Sequence, residues 1–119
     1  MRWLLAALLL GATPVTAQDW AFRDGDLALD GATVSDQIVG RVLVFYDDGQ
    51  SRHDAGGAYS YTYSLENGGG TAFGTFEVAE DGVVCIGFRH GFSRCDRYVL
   101  NGSRLVLLTE DGQRFPVRP

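Results

Sequence analysis

Seven turn dipeptides constrain what this chain can fold into. Asp-Gly stands at Asp24-Gly25, Asp30-Gly31, Asp48-Gly49, Asp81-Gly82 and Asp111-Gly112, and Asn-Gly at Asn67-Gly68 and Asn101-Gly102. Such pairs supply the positive φ angles that tight hairpins need. The runs between them are short and rich in Val, Tyr, Phe and Thr, the pattern of an all-β domain. From Arg41 onward eight strands are predicted: Arg41–Tyr46, Gln50–Asp54, Ala58–Leu65, Thr71–Ala79, Val83–Phe88, Phe92–Leu100, Arg104–Thr109 and Gln113–Val117. Every connection is short enough for an antiparallel neighbour, so the simplest topology is an up-and-down meander. Eight strands close into a small barrel or half-open barrel, which removes exposed edges. A sandwich is the alternative closure.

Ahead of Arg41 the pattern weakens. Leu27-Ala28-Leu29 reads as a further strand. Ser35 to Gly40 reads as a single helical turn, with Ser35 as cap and Gly40 as stop. Trp20 and Phe22 read as an apolar latch on the domain.

The first residues have a different character. Met1-Arg2-Trp3 carries one positive charge, an apolar run spans Leu4 to Leu10, and Val15-Thr16-Ala17 offers small residues to a signal peptidase. That order is a secretory signal with cleavage at Ala17–Gln18. A membrane span needs roughly 20 apolar residues, and this run is much shorter. The expected organisation is a signal peptide over 1–17, an N-terminal segment over 18–40 that packs on the domain, and a β-meander domain over 41–119. Export places the protein in the periplasm or outside the cell.

A domain this small buries roughly 60 to 70% of its unfolded surface, so a covalent staple would help. Cys85 and Cys95 are the only two cysteines. Placed opposite each other, they set Phe88 against Phe92 and leave Arg89-His90-Gly91 as the loop. A three-residue hairpin loop wants a left-handed residue at its end, and Gly91 is there. Disulfide register and turn chemistry agree. An even cysteine count in an exported chain points the same way.

Charge narrows the partners. Beyond Ala17 there are nine Arg, no Lys and fifteen Asp plus Glu. That acidic balance argues against nucleic acid and anionic membrane surfaces. No second apolar run is long enough to span a membrane after signal cleavage.

Candidate sites are few. Tyr59, Tyr61 and Tyr63 alternate with Ser60, Thr62 and Ser64, so their rings share one strand face, with Leu65 continuing the stripe. The stripe is either a core face or an aromatic binding wall. Arg89, Arg94 and Arg97, with Asp96 among them, read as an exposed ion-paired strand face or a contact patch for an acidic partner. A zinc site needs three or four converging ligands, and nothing in the spacing brings His53 and His90, the only histidines, together. Asp47-Asp48-Gly49 and Glu80-Asp81-Gly82 are turns, lacking the alternating oxygen ligands of a calcium loop. Gly68-Gly69-Gly70 opens no helix, so it is no phosphate loop. With no nucleophile motif, the expectation is a non-enzyme without cofactor or metal.

Taken together, Phe45-Tyr46-x-x-Gly49, Gly74-Thr75-Phe76-x-Val78, Val84-Cys85 with Cys95, and the closing Asp111-Gly112 hairpin resemble a group of small single-disulfide β proteins exported by Gram-negative bacteria. That group has no established activity to carry over. Leu105-Val106-Leu107 and Asp111-Gly112, with the size and export signal, are also similar to the periplasmic inhibitors of secreted metalloproteases, which are eight-stranded barrels with one disulfide. The cysteines of those inhibitors enclose a longer segment, and no inhibitory trunk is evident in Gln18 to Phe22. The expected function is a non-catalytic binding or interaction module of the bacterial cell envelope, with an unidentified envelope protein or small ligand as partner. The alternatives are an inhibitor of a secreted hydrolase and a small barrel that carries an apolar ligand.

Overall fold

A computed structural model describes residues 19–119, so the expected signal peptide and its cleavage site lie outside the described residues. The elements are β1 (Asp26–Ala28), α1 (Gly31–Ile38), β2 (Val42–Val44), β3 (Gln50–His53), β4 (Ala58–Thr62), β5 (Thr71–Val78), β6 (Val84–Phe88), β7 (Ser93–Asn101), β8 (Arg104–Thr109) and β9 (Arg114–Pro116). Strands β2 to β9 pair in sequence order, each antiparallel to the next. The meander curls into a half-open barrel. Its outermost strands touch at one antiparallel bridge between Phe45 and Val117, where the Arg118 N–H donates to the Val44 carbonyl at 2.7 Å.

Leu27-Ala28 does join the sheet. Strand β7 is nine residues long and outruns β6, which pairs only with Ser93 to Asp96. Strand β1 takes up the vacated edge, pairing Asp26 to Ala28 with Asn101 to Val99.

Two expectations need correction. The helix begins four residues before the expected cap: Asp30 is the N-cap, its carboxylate accepting the Thr33 N–H at 2.9 Å. Asp30 wins because its charged oxygen meets the first free amides of a helix that also needs Val34 and Ile38 on one buried face. Strand β4 stops at Thr62, and Ser64 caps a 3-10 turn over Leu65–Asn67. Leu65 therefore leaves the tyrosine stripe and stands 93% exposed.

The hairpin keeps its expected register. Cys85 and Cys95 are directly opposed with Cα atoms 4.0 Å apart, and they form a disulfide. The Phe88 N–H donates to the Phe92 carbonyl, and Gly91 sits at φ +99°. Positive φ strains any residue with a Cβ, so glycine suits this corner.

The core lies inside the barrel. Leu43, Phe45, Val84, Tyr98, Leu107 and Val117 point inward and meet Val34 and Ile38 from α1. The helix crosses one end of the barrel, from the β5–β6 turn, where the Gly31 N–H donates to the Glu80 carbonyl, to β3, where the Gly40 N–H donates to the His53 carbonyl. That end is plugged. On the outer face, half-buried Trp20 covers Val99, Val106 and Leu108, while Phe22 is 49% exposed, so the latch is Trp20 alone.

The candidate binding mouth

The barrel's other end is open, ringed by the β2–β3, β4–β5, β6–β7 and β8–β9 turns. A pocket of about 200 Å³ opens there, walled by Phe45, Tyr61, Tyr63, Leu107 and Phe115, with Asp47 and Thr109 at its sides and Arg94 lining it. Alternation along four strands aims these side chains inward. Tyr61 enters because Gly49 has no side chain: a Cβ there would lie 2.1 Å from the Tyr61 hydroxyl oxygen.

The three tyrosines do share one face, graded along the barrel. Tyr59 is buried at 3% exposure, Tyr61 is half-buried in the pocket wall, and Tyr63 is exposed at the rim. The rings of Tyr61 and Tyr63 meet edge to face at 4.9 Å. Burial pushes the Tyr59 hydroxyl far above its ordinary range, and burial followed by the nearby Asp47 carboxylate raises that of Tyr61. Both are neutral hydrogen-bonding groups.

The arginine patch does not form. Arg89 lies over the Phe73 ring at 5.2 Å, and Arg97 reaches the Asp81 carbonyl at 2.8 Å. Arg94 and Asp96, two residues apart, both face into the barrel. Arg94 Nε donates to Asp96 Oδ2 at 3.1 Å, and Nη2 donates to the Tyr59 hydroxyl at 3.2 Å. Asp96 is 1% exposed, whereas the Arg94 side chain keeps 32%. Burial lifts the Asp96 carboxyl, and Arg94 offsets part of that rise. The guanidinium is anchored along one edge, and Nη1 makes no hydrogen bond among the described residues. It sits 5.7 Å from the Phe88 ring centre and 6.0 Å from that of Tyr61.

His53 lies deeper, fully buried, its ring 4.9 Å from both Tyr59 and Phe76. Neither of its nitrogens has a hydrogen-bond partner among the described residues. Burial, followed by the positive charge of Arg94, lowers its pKa from 6.5 to about 4. It is a neutral ring in an aromatic box. His90 is exposed at the β6–β7 tip, stacked on Phe88 at 5.4 Å. No group of three or more His, Cys, Asp or Glu side chains among the described residues is placed to hold a metal ion.

Below the mouth the barrel is filled. Tyr98, Ile38, Ile86 and Val34 are each essentially without solvent exposure. An inhibitor of a secreted hydrolase would have to place Gln18 to Phe22 in the enzyme's cleft; of these, the described residues Asp19 to Phe22 lie against the barrel, the Asp19 N–H donating to the Glu110 carbonyl and the Ala21 carbonyl accepting from Arg114 Nη1 at 2.7 Å.

Compared with models of protein families, with curated proteins and with solved structures, the chain matches none.

Proposed function

We propose that this chain is a non-catalytic binding protein of the bacterial cell envelope, exported there by its first 17 residues, and that it binds at the barrel mouth. The ligand it suits is a ring-sized apolar group bearing one carboxylate. The observation that carries the reading is Arg94: a half-buried guanidinium, fixed by Asp96 and Tyr59, with one nitrogen that makes no hydrogen bond among the described residues, beside an aromatic pocket. Cavities of about 150 Å³ accept benzene, so about 200 Å³ accommodates a ring and a carboxylate. Apolar walls with a few placed polar groups, here Arg94, Asp47 and Thr109, are the usual composition of small-molecule sites, and barrel mouths are a usual place for them. A charge-assisted bond to a partly desolvated guanidinium is stronger than one to a neutral donor. Placement in an oxidising compartment is supported by the Cys85–Cys95 disulfide. No helix among the described residues is long and apolar enough to cross a membrane.

The test is calorimetric titration of residues 18–119 with benzoate and with benzamide. Benzoate is expected to bind more tightly, and the preference is expected to vanish in the double variant Arg94→Met/Asp96→Leu. Removing both charges together avoids stranding a buried carboxylate. Equal binding of benzoate by the wild type and the double variant overturns the reading.

A further inference from the structure

A groove lies outside the barrel, on the seam where the meander's ends meet. Strand β9 stops at Pro116; the Val117 N–H still donates to the Leu105 carbonyl and the Arg118 N–H to the Val44 carbonyl, and beyond them no ladder joins β2 to β8 among the described residues. The gap is a groove of about 710 Å³ lined by Arg41, Val42, Val44, Arg104, Leu105 and Arg118, among others.

Backbone and charge both mark this groove. The Phe45 N–H donates to the Gly49 carbonyl, and Leu43 opposes Ser51 in the same ladder. Antiparallel alternation then turns the peptide groups of Val42 and Val44 to the seam. Arg118 N–H donates to the Val44 carbonyl, and the other groups face the groove with no backbone partner among the described residues. The chain carries a net charge of -5, yet three arginines collect here. Arg104 and Arg118 flank the Tyr46 ring at 6.0 and 4.9 Å. Arg118 also pairs with Asp48 at 3.1 Å, whereas Arg41 and Arg104 are exposed and have no carboxylate within ion-pair distance among the described residues. An open β edge recruits an extended chain through main-chain bonds, and side-chain complementarity selects it.

We propose that this groove docks a short, extended, acidic peptide segment of a partner protein, which adds to the β2 edge with its carboxylates on Arg41 and Arg104. The site is separate from the mouth, so each stands or falls alone.

The experiment is an anisotropy titration of residues 18–119 with a labelled Asp-Val-Asp-Val-Asp-Val peptide. The comparison peptides carry Lys in place of Asp, or N-methyl groups at alternate amides. The acidic peptide is expected to bind, the Lys peptide not to bind, and the N-methylated one to bind about tenfold more weakly or worse. Arg41→Ala/Arg104→Ala is expected to weaken binding about tenfold while leaving the melting temperature and benzoate binding unchanged. Equal binding of the N-methylated peptide reduces the groove to a patch of positive charge and overturns the proposal. So does absence of binding by the acidic peptide. Self-association of the chain that the double variant abolishes also overturns it, by making a second copy the occupant.

Discussion

His53 shows how one buried side chain ties stability to pH. Its folded pKa is about 4 against 6.5 in the unfolded chain. Between those values the unfolded chain takes up a proton and the folded chain does not, so stability falls as pH drops from 6.5 towards 4. The difference corresponds to about 3 kcal/mol. His53→Phe keeps a ring between Tyr59 and Phe76 and removes two unpartnered nitrogens. Urea unfolding at pH 7 and pH 4.5 is expected to show a smaller pH dependence in the variant, with stability at pH 7 equal or higher. Asp96, which burial pushes the other way, is common to both proteins and cancels in the comparison. An unchanged pH dependence would place the effect elsewhere. Little of this was legible in the sequence. The Arg94–Asp96 spacing says that both share a face, but only the direction of barrel curvature decides that the face is the interior. His53 is inward for the same long-range reason.

Elements were easier to read than residues. The β6–β7 hairpin follows from local chemistry alone, because turn type and disulfide register fix the same pairing. Removing the staple with Cys85→Ser/Cys95→Ser is expected to cost about 3 kcal/mol in denaturant unfolding, with the far-UV circular dichroism of the folded protein unchanged. Strand β1 and helix α1 were less legible. Three residues of strand carry little pattern, and their hold on the barrel comes from far along the chain. Asp26 meets Arg114 of β9 through two bonds, at 2.7 and 3.1 Å, and also accepts from Asn101 at 2.9 Å. The bond from Arg114, against an opposing burial effect, holds the Asp26 carboxyl far below the ordinary range. This stabilisation is complete above the unfolded carboxylate pKa and is lost as pH falls towards the folded value. Arg114→Ala removes the cation from a part-buried carboxylate that keeps its bonds from Asn101 and the Arg23 N–H, and is expected to cost about 2 kcal/mol. Hydrogen exchange is expected to quicken first at β1 and its β7 partners. Slow exchange there in Arg114→Ala would show that Trp20 and the helix hold the segment without the pair.

At the scale of the whole molecule, the meander order was present in the turn dipeptides, whereas closure was not. How far the strands shear before β2 meets β9 depends on interior volume, set by Tyr98, Phe45, Ile86 and the helix plug together. That shear leaves one end open with Arg94 near the mouth, and it leaves a seam where β9 stops short. The two proposed sites are thus products of closure, and neither has a local signature beyond the tyrosine stripe. The most direct test of the account is a ¹H–¹⁵N correlation spectrum of residues 18–119 titrated with benzoate to about 10 mM. The account predicts shifts clustered on Phe45, Tyr61, Tyr63, Arg94 and Phe115, with Val42 and Arg104 unmoved. A spectrum without shifts, or with shifts centred on the seam or the plugged end, would contradict it.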